Sequence, residues 1–342
     1  WDHSYNQYLR PLDDGGAALW TGRLAEHVYT PTPDGSFDPP TGVPRRLEHE
    51  PGTGAHDERY VLTDREGRTR VFARPDGWPH ADRLPLVRVE DDAGNAQELS
   101  YDGEGRLASV TDHAGRGLEF HYGDCGLLET VTDHTGRAWE YRHGADAEKL
   151  TSVRRPATDE HPDGPTVCYE YDDRRHPALR HNIARVVDEN GETVLENEYG
   201  TDPGSADFGR VVEQYFEGSR AEFGAERIQA VPETPDAVNV PAWRVRVIDP
   251  GVLTVYTFNY RGDLLDERLR LARDDSYRLV ARTYRYDKRG NRVERREPNG
   301  LGRRTTYDTD ADDPRAWANP LRRVRLAPPA SGARDREVFR AT

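Results

Sequence analysis

Four histidines offer the chain's clearest metal chemistry. His113 and His134 occupy the same place in two related hexapeptides, Thr111–Arg116 and Thr132–Arg137, with His121 and His143 nearby. Stacked in adjacent hairpins they would converge, and imidazole suits several transition metals. The competing reading has them as turn residues facing water, and no metal is assigned to them. Asp308, Asp310 and Asp312 alternate like the first ligands of a calcium loop. However, Asp313 stands where that loop needs Gly, and Asn319 where it needs Glu, so an acidic turn is expected. The sequence holds no Gly-x-Ser-x-Gly, no phosphate-binding Gly-rich loop with Lys and Ser or Thr, and no His-Glu-x-x-His. No nucleophile, base and orienting group are legible together, so the expectation is a protein that is not an enzyme and needs no cofactor.

Aromatic and cationic side chains recur more regularly. Tyr101, Tyr122, Tyr141, Tyr286 and Tyr307 could stack on sugar rings as a glycan-binding strip. Evenly spaced aromatics more often pack on one another inside a fold, and a buried ladder is the expectation here. Arg106, Arg116 and Arg137 each follow a turn glycine and are expected to pair with Asp or Glu across strands.

The elements that must position these residues repeat. Thr111-Asp112-His113-Ala114-Gly115-Arg116 returns as Thr132-Asp133-His134-Thr135-Gly136-Arg137 after 21 residues, a spacing shared by Tyr101 with Tyr122 and by Tyr286 with Tyr307. Leu118, Phe120 and Tyr122 alternate with polar neighbours, the period of a half-buried strand. Between strands stand Asp-x-x-Gly clusters at Asp102–Gly105, Asp112–Gly115, Asp133–Gly136 and Asp287–Gly290. Aspartate accepts backbone N–H bonds at the first position of a turn, and glycine tolerates positive φ at the last. The pattern predicts an all-β fold of consecutive antiparallel hairpins.

Composition sets the remaining bounds. Of 342 residues, 35% are hydrophobic and 32% charged, a low apolar fraction that fits a sheet wet on one or both faces better than a sandwich with a dry core. The formal charge of −14 makes nucleic acid a poor partner. No apolar run is long enough for a transmembrane helix. Cys125 and Cys168 are the only cysteines, either bridged to each other or both free. Beginning at Trp1, with no Met and no visible leader, the sequence is expected to be an internal piece of a longer polypeptide.

The Tyr-Asp-x-x-Gly-Arg units carry a family resemblance. Tyr101-Asp102-Gly103-Glu104-Gly105-Arg106 and Tyr286-Asp287-Lys288-Arg289-Gly290-Asn291 resemble the YD repeat of the RHS family, also found in the C component of bacterial Tc toxins and in teneurins. The second copy has Asn where Arg is usual. The opening Trp1-Asp2-His3-Ser4-Tyr5 is similar to the entry of bacterial RHS cores. The resemblance divides the chain into an entry segment at 1–58, YD repeats at 59–200, an irregular insertion at 201–245 marked by Pro203, Pro232, Pro235 and Pro241, and further repeats at 246–342.

It implies a spiral sheet that is part of a hollow shell enclosing a C-terminal toxin or effector segment, in a secreted or cell-surface protein whose other partners are adjacent repeats. The family's self-cleavage block has no match around Asp249-Pro250-Gly251 or Asp313-Pro314. The alternative is an adhesive array binding proteins or glycans.

Overall fold

The computed structural model describes residues 3–22, 25–52, 58–145, 149–172, 176–216, 219–228, 234–249, 252–273, 276–329 and 331–341. Trp1, Asp2, Pro232, Pro250, Gly251 and Thr342 lie outside the described residues. The chain divides into two compact units, one of residues 1–166 with 309–317, the other of residues 167–308 with 318–342. The fold is all-β: antiparallel strands joined in sequence, with short 3-10 turns at Pro177–Leu179, Pro235–Asn239 and Pro314–Ala318.

In the first unit, Tyr8–Pro11 pairs with Ala17–Trp20 and, through Tyr8 and Leu9, with Leu84–Glu90. Ala17–Trp20 pairs in turn with Glu26–Pro31. From Arg46–Glu50 onward each strand pairs with the next, through Leu84–Glu90, Ala96–Tyr101, Leu107–Asp112, Gly117–Tyr122, Leu128–Asp133 and Ala138–His143, to Leu150–Arg154. The unit has a dry core, contrary to the wet sheet read from composition. Leu9, Leu19 and Tyr29, fully buried, join Leu47, Leu62, Phe72, Leu84 and Leu86 in one cluster. Burying each such leucine contributes about 1.5–3 kcal/mol. The average hydrophobic fraction concealed this because the apolar side chains concentrate before about residue 110.

The second unit is a meander from Thr166–Tyr171 to Arg336–Arg340. Most of its described strand positions are half-buried or exposed, with Leu179, Val238, Leu265 and Leu326 among the few buried apolar side chains. The irregular insertion expected at 201–245 contains a regular hairpin, Val211–Phe216 with Ser219–Arg227, and the start of Trp243–Asp249. Pro203, Pro235 and Pro241 fall outside these strands, so they do not interrupt the ladder.

Candidate functional site

The repeat's signature side chains are used in its turns and at the open mouth of each hairpin. At the turn that links one hairpin to the next, the Asp102 amide donates to the Arg106 carbonyl at 2.9 Å and the Gly105 amide to the Asp102 carbonyl at 3.0 Å. One Asp102 carboxylate oxygen accepts from the amides of Glu104 (3.0 Å) and Arg106 (2.9 Å), the other from the Arg106 guanidinium (2.8 Å). Asp112 repeats the pattern with Ala114 and Arg116, and Asp133 with Thr135 and Arg137. Gly105, Gly115, Gly136 and Gly290 sit at φ of +78°, +78°, +84° and +88°, where a Cβ is strained.

Arg106, Arg116 and Arg137 therefore bind the aspartate of their own turn, not a carboxylate across strands. The spacing of four residues in a tight turn brings the guanidinium back over the same carboxylate. Where Asn291 replaces Arg, its side-chain amide donates to the second Asp287 oxygen at 3.0 Å and keeps the link. These bonds favour the ionised acids. The Arg116 amide and guanidinium hold Asp112 below the usual carboxylate range, and the Thr135 hydroxyl followed by the Arg137 guanidinium does so more strongly for Asp133.

At the open mouth of the hairpin, an aromatic closing the second strand reaches a backbone carbonyl at the start of the first. The Tyr101 hydroxyl donates to Leu86 at 2.6 Å, Tyr122 to Leu107 at 3.0 Å and Tyr199 to Ile183 at 2.7 Å. Tyr286 does the same with Leu264 at 3.0 Å and Tyr307 with Arg292 at 3.4 Å. Burial raises the Tyr101, Tyr122 and Tyr286 hydroxyls above the ordinary tyrosine range. These rings are half-buried, and among the described residues no ring contact joins one of them to another. Arg106 instead lies over the Tyr122 ring at 4.7 Å, and Trp78 meets Tyr101 edge-on at 5.2 Å.

Tyr141 is half-buried opposite Val153 and is not the equivalent residue. His143 takes that position, its ring nitrogen 2.9 Å from the Leu128 carbonyl. His113, His121 and His134 are exposed, the first and last at turn tips. Among the described residues, no three His, Cys, Asp or Glu side chains come together as a metal site, and the Asp308, Asp310 and Asp312 series forms none. Cys125 and Cys168 are free and exposed. No helix among the described residues is long and apolar enough to cross a membrane.

A cavity of about 230 Å³ lies beside Tyr101 and Tyr122, bounded also by Tyr5, Tyr8, Trp78 and Arg83. Arg83 lies over the Tyr8 ring at 5.0 Å. Sequence reading missed Trp78 and Arg83 because they fall in a connection outside the repeat. The Trp78-Pro79-His80 cluster was the one available signal.

Residues 101–138 match the family model described as RHS Repeat. This stretch is an RHS repeat. It runs from Tyr101 past Tyr122 to the turn at Asp133, and so contains both devices, the aspartate tip and the tyrosine clasp. No curated protein matches the sequence. Among solved structures, the crystal structures of TcdB2-TccC3-Cdc42 and of TcdB2-TccC3 each align with 96% of this chain and 20% of their own, at 10% identity and a TM-score of 0.44. The Photorhabdus luminescens Tc holotoxin pore aligns with 93% of this chain and 22% of its own, at 8% identity and a TM-score of 0.31. The chain spans about a fifth of the length of these structures.

Proposed function

We propose that the chain is a structural segment of an RHS-type shell that encloses a C-terminal toxin or effector polypeptide and helps deliver it from a secreted or cell-surface protein. It acts by shape, without catalysis. The observation that carries this reading is the RHS repeat at 101–138, whose signature side chains are engaged in holding hairpins together. A carboxylate bound by two amides and a guanidinium, or a hydroxyl clasped to a backbone carbonyl, is poorly placed to serve as an acid, base or nucleophile.

The test is limited proteolysis of the polypeptide that contains this chain, with fragments identified by mass spectrometry. A C-terminal segment protected until denaturant opens the hairpins is the expected result. A segment cut equally fast in native buffer contradicts enclosure. A second reading, adhesion through glycan binding, draws on the aromatic cavity beside Tyr101 and Tyr122. Binding to a glycan panel that is lost on Trp78→Ala, with stability kept, would favour it.

A further inference from the structure

On four consecutive strands of the second unit, Arg295 stands opposite Arg303, Arg303 opposite Arg325, and Arg325 opposite Arg336. Neighbouring strands lie about 4.8 Å apart, so four guanidinium side chains rise from a line of about 14 Å. Arg292, Arg323 and Val338 line the same groove, which encloses about 650 Å³. Like charges directly opposite one another destabilise a sheet.

Carboxylates are plentiful in a chain of formal charge −14, yet among the described residues Glu297 is the one acidic side chain lining this groove. It is held by Arg295 at 2.7 Å and Arg282 at 3.1 Å. Among the described residues, Arg303, Arg325 and Arg336 carry no ion pair. The opposite face of the same strands is built differently. There Arg296 and Arg304 share Glu294, at 2.8 and 2.7 Å, and Arg322 pairs with Glu337. One face is neutralised from within, and the other is left cationic.

We propose that this row of arginines is a docking strip for an extended, acidic polypeptide segment. Guanidinium groups bind carboxylates through paired, charge-assisted hydrogen bonds, which would relieve the repulsion along the row. One feature of the groove favours a peptide over a phosphate or sulfate polymer. Val338 and Leu301, 55% and 39% exposed, sit in the groove and offer apolar contacts to side chains between the acids. The overall negative field opposes a dense polyanion more than a peptide with alternating carboxylates. The inference is independent of the enclosure proposed above.

The test measures fluorescence anisotropy of a labelled peptide of alternating Glu and Val with the 342-residue chain. A Gln-and-Val counterpart, heparin and single-stranded oligothymidine are run at the same salt. The Glu peptide is expected to bind, and the Gln peptide not. R303Q/R325Q should weaken binding by about ten-fold or more, while R304Q on the other face binds like wild type. The double variant should melt at or above the wild-type temperature, because it relieves repulsion. Hydrogen exchange on the wild-type chain should place the peptide's protection on 292–303, 320–326 and 336–340. The proposal is overturned if the Glu peptide does not bind, if R303Q/R325Q binds like wild type, or if protection falls elsewhere. Heparin or oligothymidine binding as tightly as the peptide would overturn the choice of partner.

Discussion

The Tyr122 hydroxyl donates to the Leu107 carbonyl across the open mouth of one hairpin, 15 residues back along the chain. Tyr101 with Leu86, and His143 with Leu128, keep that separation, so donors and acceptors both advance by 21 residues from one hairpin to the next. The other end of each of these hairpins is closed by an aspartate turn, at Asp91, Asp112 and Asp133. The repeat length is thus the path from one clasp to the next, through two strands and two turns.

Because His143 stands where the neighbouring hairpins have tyrosine, His143→Tyr should keep the bond to Leu128 and add apolar contact. The expected gain is up to about 1 kcal/mol, within the range of one hydrogen-bonded aromatic replacement. Urea unfolding checks it. A variant less stable than wild type would mean that the clasp is not interchangeable between hairpins.

The turn glycines should differ in a graded way. A Cβ on Gly115 or Gly136 meets nothing within 4 Å, so Ala there costs only the left-handed backbone, about 1–2 kcal/mol. A Cβ on Gly105 would also come within 2.9 Å of the His80 ring and 3.0 Å of Pro79, so Gly105→Ala should cost more. Equal losses at Gly105 and Gly115 would contradict the packing described around Tyr101.

Acid should weaken the fold through its depressed carboxylates. The Arg220 guanidinium holds Glu213 at about 2, and the Thr32 and Ser36 hydroxyls hold Asp34 at about 2. Asp133 is lowered by the Thr135 hydroxyl and the Arg137 guanidinium. A folded value below the unfolded one means stability that is present above the unfolded value and lost as pH falls through the folded one. Melting temperature should therefore drop between about pH 4 and about pH 2, and less steeply in Asp133→Asn. Parallel curves for the two proteins would remove Asp133 from this role.

Strands and tips were legible in the sequence because they rest on local rules: alternation for Gly117–Tyr122, and Asp-x-x-Gly for the turns. The clasp was not, although Leu86, Leu107 and Leu128 share the 21-residue step with Tyr101, Tyr122 and His143. It joins residues on different strands, and phase alone does not say which carbonyl a hydroxyl reaches. The core formed by Leu9, Leu19 and Tyr29 was hidden for a related reason. It depends on Tyr8–Pro11 pairing with Leu84–Glu90, a contact across more than 70 residues that no local pattern announces.

That core contains one polar flaw. The Tyr29 hydroxyl is fully buried with no hydrogen-bond partner among the described residues, and burial raises it to about 12. Tyr29→Phe removes an unsatisfied group and should stabilise by about 1 kcal/mol at neutral pH. The folded value lies above the unfolded one, so wild-type stability falls as pH rises from about 10 to about 12, and the Phe variant should resist that loss. A Phe variant weaker than wild type at pH 7 would show that the hydroxyl has a partner.

The most direct test of an architectural role for the repeat's tyrosines is urea unfolding of Tyr122→Phe and Tyr122→Ala beside wild type, with the same samples screened on a glycan panel. Loss of the hydroxyl alone should cost about 0.5–1.5 kcal/mol, and loss of the ring about 3 kcal/mol or more. No glycan binding should disappear separately from stability. If Tyr122→Ala unfolds like wild type but loses binding to a glycan that wild type holds, the tyrosine belongs to a ligand site and not to the hairpin's closure.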